Sequence, residues 1–180
     1  MKIWKALLIT IIVLFTATAC QGSRDNQIEQ NPIRGSYEIE KVPPSNESGS
    51  LHGEMIYVPI YSSIFHSKDF RTYDLTATLS IHNIDLENPI KVTKVNYHNT
   101  NGDLIKSYVE NSLILKPLQT VQIVIQEDNS SGGTGANFIV EWVSESNVNS
   151  PIVEAVMIST AGQLGISFVT TGKVIENLSE

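Results

Sequence analysis

The chain has 180 residues, 41% of them hydrophobic, with 12 basic and 19 acidic side chains and a formal charge of −7. That length and apolar content suit one domain with a real core, and the acidic surplus argues against binding nucleic acid or anionic lipid head groups. A single cysteine, Cys20, rules out an intramolecular disulfide and any cysteine-cluster zinc site.

The N-terminal stretch has the order of a secretory signal. Lys2 and Lys5 precede an apolar run from Ala6 to Phe15, and small residues follow up to Ala19. The run is short for a bilayer span, which needs about 20 apolar residues; a retained N-terminal anchor is the alternative. Ala17-Thr18-Ala19-Cys20 resembles a bacterial lipobox, with Ala17 where such signals usually carry Leu. The resemblance implies cleavage before Cys20 and acylation of that residue, the remaining alternative being ordinary secretion. More than one acyl chain makes anchoring stable. Without Lys2 and Lys5, 10 basic residues face 19 acidic ones. Membrane attachment would then depend on the lipid and not on a basic patch. The expected organisation is a signal peptide over 1–19, the lipidated cysteine and a flexible tether over 20–51, a β domain over 52–175 and a C-terminal tail over 176–180.

The tether reading rests on composition. Residues 21–51 are rich in Gly, Ser, Asn, Gln and Pro and hold few large apolar residues, too few to offset the entropy of ordering them. Tyr37 to Val42 alternates briefly and could dock as an edge strand or stay mobile.

From Met55 onward the dominant period is two. Pro59 lacks an amide donor and so confines the first strand, Met55 to Tyr61, to an edge or a bulge. Leu75, Ala77, Leu79 and Ile81 alternate with Thr76, Thr78, Ser80 and His82, which predicts a strand with one buried face. Ile90 and Val92 fall in one phase but Val95 and Tyr97 in the other, a slip that predicts a β-bulge between them. Asn101-Gly102 marks a hairpin turn. Val121, Ile123 and Ile125 give another strand, Phe138, Val140 and Trp142 the next, and Val153, Ala155 and Met157 a further one. The last also has an apolar reverse face in Ile152, Val156 and Ile158. No segment after residue 54 keeps a helical apolar period. The pattern predicts an all-β fold, an antiparallel β-sandwich of seven to nine strands with immunoglobulin-like topology as first choice and a small closed barrel as the alternative.

Four runs, Tyr57–Ser62, Leu79–Asn83, Gly132–Trp142 and Val153–Ile158, resemble an uncharacterised family of bacterial secreted proteins and lipoproteins known only as a domain of unknown function. The resemblance covers about 55–175. It implies a bacterial envelope origin and carries no activity, ligand or cofactor.

Two places could hold chemistry. Ser130 to Asn137 is the one glycine-rich loop, and Gly132, Gly133, Gly135 and Asn137 could cradle an anion with backbone amides. It lacks the Gly-Lys-Ser/Thr of a phosphate loop and leads into a strand, so a plain connection with glycines at positive φ is the competing reading. Glu141 and Glu154 sit on successive strands. If those strands pair directly, the carboxylates could meet, shift each other's pKa, and hold a proton or a divalent ion or hydrolyse a glycoside; otherwise each is solvated or bonded to a cation across the sheet. His52, His66, His82 and His98 show no metal spacing. The expectation is a non-enzymatic envelope lipoprotein with no cofactor, held to the membrane by its lipid and meeting an envelope protein partner. It would lie at the periplasmic face of the outer membrane in a cell with two membranes. A solute- or ion-binding module is the alternative, and a hydrolase built on Glu141 and Glu154 the third.

Overall fold

The computed structural model describes residues 33–35, 40–42, 52–160 and 165–179. The leader, Cys20 and most of the expected tether lie outside them. Among the described residues there are fourteen strands and one 3-10 turn, Ser130–Gly135. The strands are β1 (Ile33–Gly35), β2 (Glu40–Val42), β3 (His52–Ile60), β4 (Ser63–Phe65), β5 (Thr72–Asp74), β6 (Thr76–His82), β7 (Ile90–His98), β8 (Leu104–Ser107), β9 (Ser112–Leu115), β10 (Thr120–Ile125), β11 (Ala136–Ser144), β12 (Ile152–Ser159), β13 (Ile166–Thr171) and β14 (Lys173–Ser179).

They form two separate antiparallel sheets and a small hairpin. One sheet runs β1-β10-β6-β12-β13. The other runs β14-β3-β11-β7-β9-β2, with β8 also on β7, while β4 and β5 pair only with each other. This is an antiparallel β-sandwich with more strands than the periodicity alone suggested, and not a closed barrel. Alternation explains how it closes. Leu75, just before β6, and Ala77, Leu79, Ile81, Val121, Ile123, Ile125, Val153, Ala155 and Met157 from the first sheet meet Ile56, Val58, Ile60, Val92, Val95, Phe138, Val140 and Trp142 from the second, all buried in one core. At period two, every second side chain of each strand must face the other sheet.

Three departures from the sequence expectations have physical causes. Within the stretch read as tether, β1 pairs β10 and β2 pairs β9; β2 is an edge strand of the kind the brief alternation of Tyr37 to Val42 allowed for, whereas β1, three residues long, is too short to leave a periodic signal. Residues 176–179, read as a tail, belong to β14 and pair with β3. With β11 on its other side, β3 is an interior strand despite Pro59. The proline is tolerated because the ladder with β14 begins only at Lys173 opposite Tyr57. Beyond it the Thr170 hydroxyl donates to the Pro59 carbonyl.

The phase slip in β7 is a bulge. Glu141 of β11 faces Lys94 while Trp142 faces Val92, leaving Thr93 as the extra residue. The Asn101-Gly102 turn joins β7 to β8, with Gly102 at φ 87. It is longer than a two-residue hairpin: Asn99 accepts the amides of Asn101 and Asp103 and organises a five-residue loop.

Candidate functional site

Glu141 and Glu154 are not brought together. Glu141 is on β11, between β3 and β7 in one sheet, and Glu154 is on β12, between β6 and β13 in the other. The chain crosses from sheet to sheet between them, so the direct pairing on which a shared carboxylate site depended does not occur.

Each carboxylate has its own partner. The β7 bulge turns two successive residues, Thr93 and Lys94, out of the core, and both reach Glu141. The Thr93 hydroxyl donates to Oε1 at 2.7 Å and the Lys94 ammonium to Oε2 at 2.5 Å. Partial burial pushes the Glu141 carboxyl up, but the hydrogen bonds from Lys94 and Thr93 and the lysine charge outweigh it and hold it below the usual glutamate value. A carboxyl lowered in this way stabilises the fold above its unfolded value near 4.5 and loses that contribution as pH falls through its folded value. The pair is partly solvated, so its worth is about 1 kcal/mol or less. Lys94→Met should therefore lower the urea midpoint at pH 7, and the gap to the wild type should close as the pH drops below 4.5. A gap that stays constant into acid would show that lysine packing, not the ion pair, is what was lost.

Glu154 lies on the outer face of β12. His82 Nε2 of the neighbouring strand is 3.8 Å from Glu154 Oε1, and His82 Nδ1 is 2.9 Å from the Thr120 hydroxyl. The group is a small polar cluster on the outer face of the sheet. Among the described residues, no group of three His, Cys, Asp or Glu side chains is placed to hold a metal ion.

The glycine loop is tied down by its own backbone. The Thr100 amide and hydroxyl both donate to the Gly132 carbonyl at 2.9 Å, and the Gly135 amide donates back to the Thr100 hydroxyl at 3.0 Å. The amide and hydroxyl of Ser62 donate to the Gly133 carbonyl. The loop thus clasps the β7–β8 turn to the start of the β4–β5 hairpin, and the Gly135 amide is spent on this clasp, not offered to an anion. Of the three loop glycines only Gly133, at φ 74, has a positive φ. Asn137 sits on β11 between Pro59 and His98, past the end of the turn.

Two polar clusters emerge that the sequence reading did not single out. Glu54 faces the core end of β3, where the Trp142 indole N–H donates to Oε2 at 3.2 Å and the Ser150 hydroxyl to Oε1 at 2.9 Å. Its alternation with Ile56, Val58 and Ile60 was the available signal. At the same end, the Asn83 side-chain amide donates to the carbonyls of Asn88, Leu115 and Lys116. Asp85 accepts the amides of Glu87, Asn88 and Asn149, which hold its carboxyl below the usual range. These two residues lock three loops together.

The remaining distinctive surface is the outer side of β12 and β13. Ile152, Ile158 and Val169 stand exposed there at 46%, 44% and 56%, with Val156 opposite Val169 in the ladder. Strand β13, Ile-Ser-Phe-Val-Thr-Thr, forms one edge of its sheet and carries no charge and no proline. Its ladder with β12 runs without a register shift. The other edges are blunted in the usual ways. β1 and β2 have three residues each, β8 has four with Lys106, and β14 carries Lys173, Glu176 and a bulge after Val174.

Residues 53–175 match the family described as a protein of unknown function, DUF3124. The chain belongs to the DUF3124 family. The matched region runs from β3 to the start of β14, so the DUF3124 domain holds most of the sandwich, including both the glycine clasp and the β13 edge. No curated protein and no solved structure matches this DUF3124 chain.

Proposed function

We propose that this protein is an envelope lipoprotein, anchored through Cys20, whose sandwich is a non-enzymatic binding or structural module. The observation that carries the reading is the apolar outer surface of β12 and β13, interrupted by a charge only at Glu154 on β12, bordering the uncharged and unblunted β13 edge. A sheet face with exposed Ile152, Ile158 and Val169 suits contact with another macromolecule. A long edge without charge, proline or bulge offers its backbone donors and acceptors to an extended strand of a partner, which is strand addition. The separation of Glu141 and Glu154 removes the geometric support for paired-carboxylate hydrolysis. The anchor rests on the leader and on the lipobox resemblance around Cys20.

One experiment on native envelopes tests both halves. Wild-type protein should fractionate with membranes and cross-link to a protein partner. Cys20→Ala should leave the membrane fraction. Val169→Lys, at an exposed site that leaves the core untouched, should stay on the membrane but lose the cross-link. Retention of Cys20→Ala would show that the leader itself is the anchor, and an undiminished cross-link in Val169→Lys would remove β13 from the interface.

A further inference from the structure

The β4–β5 hairpin carries an aromatic tip that the core does not use. Phe65 and Phe70 are 58% and 79% exposed and touch each other edge to face, with ring centroids 5.9 Å apart. Phe70 is held at φ 57, a left-handed conformation that is a genuine outlier for a bulky side chain. Such conformations persist only where the surroundings impose them and cluster at sites of function. Here the turn is closed by the His66 amide donating to the Arg71 carbonyl and the Phe70 amide to the Ser67 carbonyl. The His66 ring stacks on Tyr73 at 3.9 Å, bracing the base of the tip. The protein thus keeps two large apolar rings in water on this hairpin, one of them in a strained backbone. Lys68 and Arg71 flank them, both exposed.

The position of this tip in the topology supplies the second observation. β3 ends at Ile60 opposite Ala136 and β6 begins at Thr76, so the hairpin leaves the sandwich at that end. β10 finishes at the same end, where Ile125 faces Ala77. β1 runs away from it, since Ile33 faces Ile123 and Gly35 faces Val121. The chain therefore enters the sheet from the hairpin end. Cys20 precedes Ile33 by thirteen positions, a separation that spans at most roughly 45 Å when fully extended, at about 3.5 Å per residue.

We infer that the Phe65/Phe70 tip seats in the interfacial region of the membrane to which Cys20 is anchored, fixing the orientation of the sandwich on the lipid surface. This rests on the anchored reading proposed above. Phenyl rings on one side with Lys and Arg beside them are the composition of a segment lying at the headgroup boundary. One acid, Asp69, sits within the turn, and the chain as a whole is acidic. Attraction therefore comes from insertion of the rings and not from anionic lipid, and the occupant is a zwitterionic lipid surface. A short connection to an acyl anchor makes the second contact effectively intramolecular, so even a weak insertion is well populated. Docked this way, the opposite end of the sandwich, with the Asn83 and Asp85 loops, points away from the bilayer.

The test uses the full mature protein, acylated at Cys20, in phosphatidylcholine vesicles with or without bromine on the acyl chains. Phe70→Trp places a reporter at the tip, read against wild type to remove the emission of buried Trp142. The protein should float with the vesicles, and most of the emission added by Phe70→Trp should be quenched by the brominated lipid. Adding Phe65→Ser to the reporter protein should sharply reduce that quenching while flotation persists. Flotation with equal added emission in both vesicle types would overturn the tip assignment and leave the anchor standing. Failure to float would overturn the anchored reading and the tip assignment with it.

Discussion

Trp142→Ala should remove most of the stability of the domain. Trp142 is the largest fully buried side chain, at 0% exposure on the central strand β11. Deleting so large a ring costs the lost transfer of its surface plus the cavity left behind, about 3–5 kcal/mol for Trp or Phe truncated to Ala. A second loss follows from the indole N–H. It is one of two donors on Glu54, a carboxylate only 9% exposed, the other being Ser150. Leaving a buried acceptor short of a donor costs roughly 1–3 kcal/mol more. Against a typical domain stability of about 5–15 kcal/mol, the sum leaves little folded protein. Trp142→Phe narrows the comparison, because it keeps a buried six-membered ring while removing the donor and the smaller five-membered part of the indole. Urea unfolding should rank wild type above Trp142→Phe and Trp142→Phe above Trp142→Ala. If Trp142→Phe matched the wild type, the hydrogen bond to Glu54 would carry no weight and packing would account for the whole effect.

How far the sequence anticipates this structure depends on the range of the interaction involved. Strand faces are local facts. The alternation of Leu75 to His82 and of Phe138 to Trp142 fixed which side chains enter the core, and the structure buries those residues. The slip between Val92 and Val95 is local too, and it appears as the bulge at Thr93. Its consequence was not legible, because Glu141 lies 47 positions after Lys94 and only strand pairing brings them together. The pairing of Glu141 with Glu154 failed for the complementary reason. β11 and β12 are successive in sequence, but neighbours in sequence pair only where the connection turns back within one sheet. Here residues 145–151 carry the chain across, held by the Asn149 amide on Asp85 and the Ser150 hydroxyl on Glu54. Both anchors are inward-facing acids whose partners are remote in sequence. The loop glycines show the same limit. Their spacing signalled a tight connection, and the backbone angle expected of them holds at Gly133, but at Gly132 the demand for glycine comes from close packing.

Gly132→Ala is the clearest expression of that demand. Gly132 does not have a positive φ, so no backbone penalty is involved. A Cβ built there would lie 1.9 Å from the Tyr97 hydroxyl oxygen, 2.7 Å from Tyr97 Cζ and 2.8 Å from the Ala136 Cβ. Tyr97 has nowhere to move. It is 1% exposed, lies tilted on Phe138 with centroids 5.0 Å apart, and donates its hydroxyl to Ser62. The loop must move instead, and its displacement would break the bonds from Thr100 to Gly132 and from Ser62 to Gly133. Forcing an extra methyl into a packed site costs typically about 1–3 kcal/mol, and loss of the clasp should place this variant at the upper end or beyond. A double-mutant cycle isolates the contact with the Tyr97 hydroxyl. Tyr97→Phe deletes the oxygen that makes the shortest contact while leaving the ring, so Gly132→Ala should cost less in the Tyr97→Phe background, with a coupling of about 1 kcal/mol. The rescue should be partial, since the ring carbon and Ala136 remain within 3 Å. Thermal unfolding of the four proteins measures it, and strictly additive effects would mean that the strain falls on the loop alone and that the Tyr97 hydroxyl is not what requires glycine at this position.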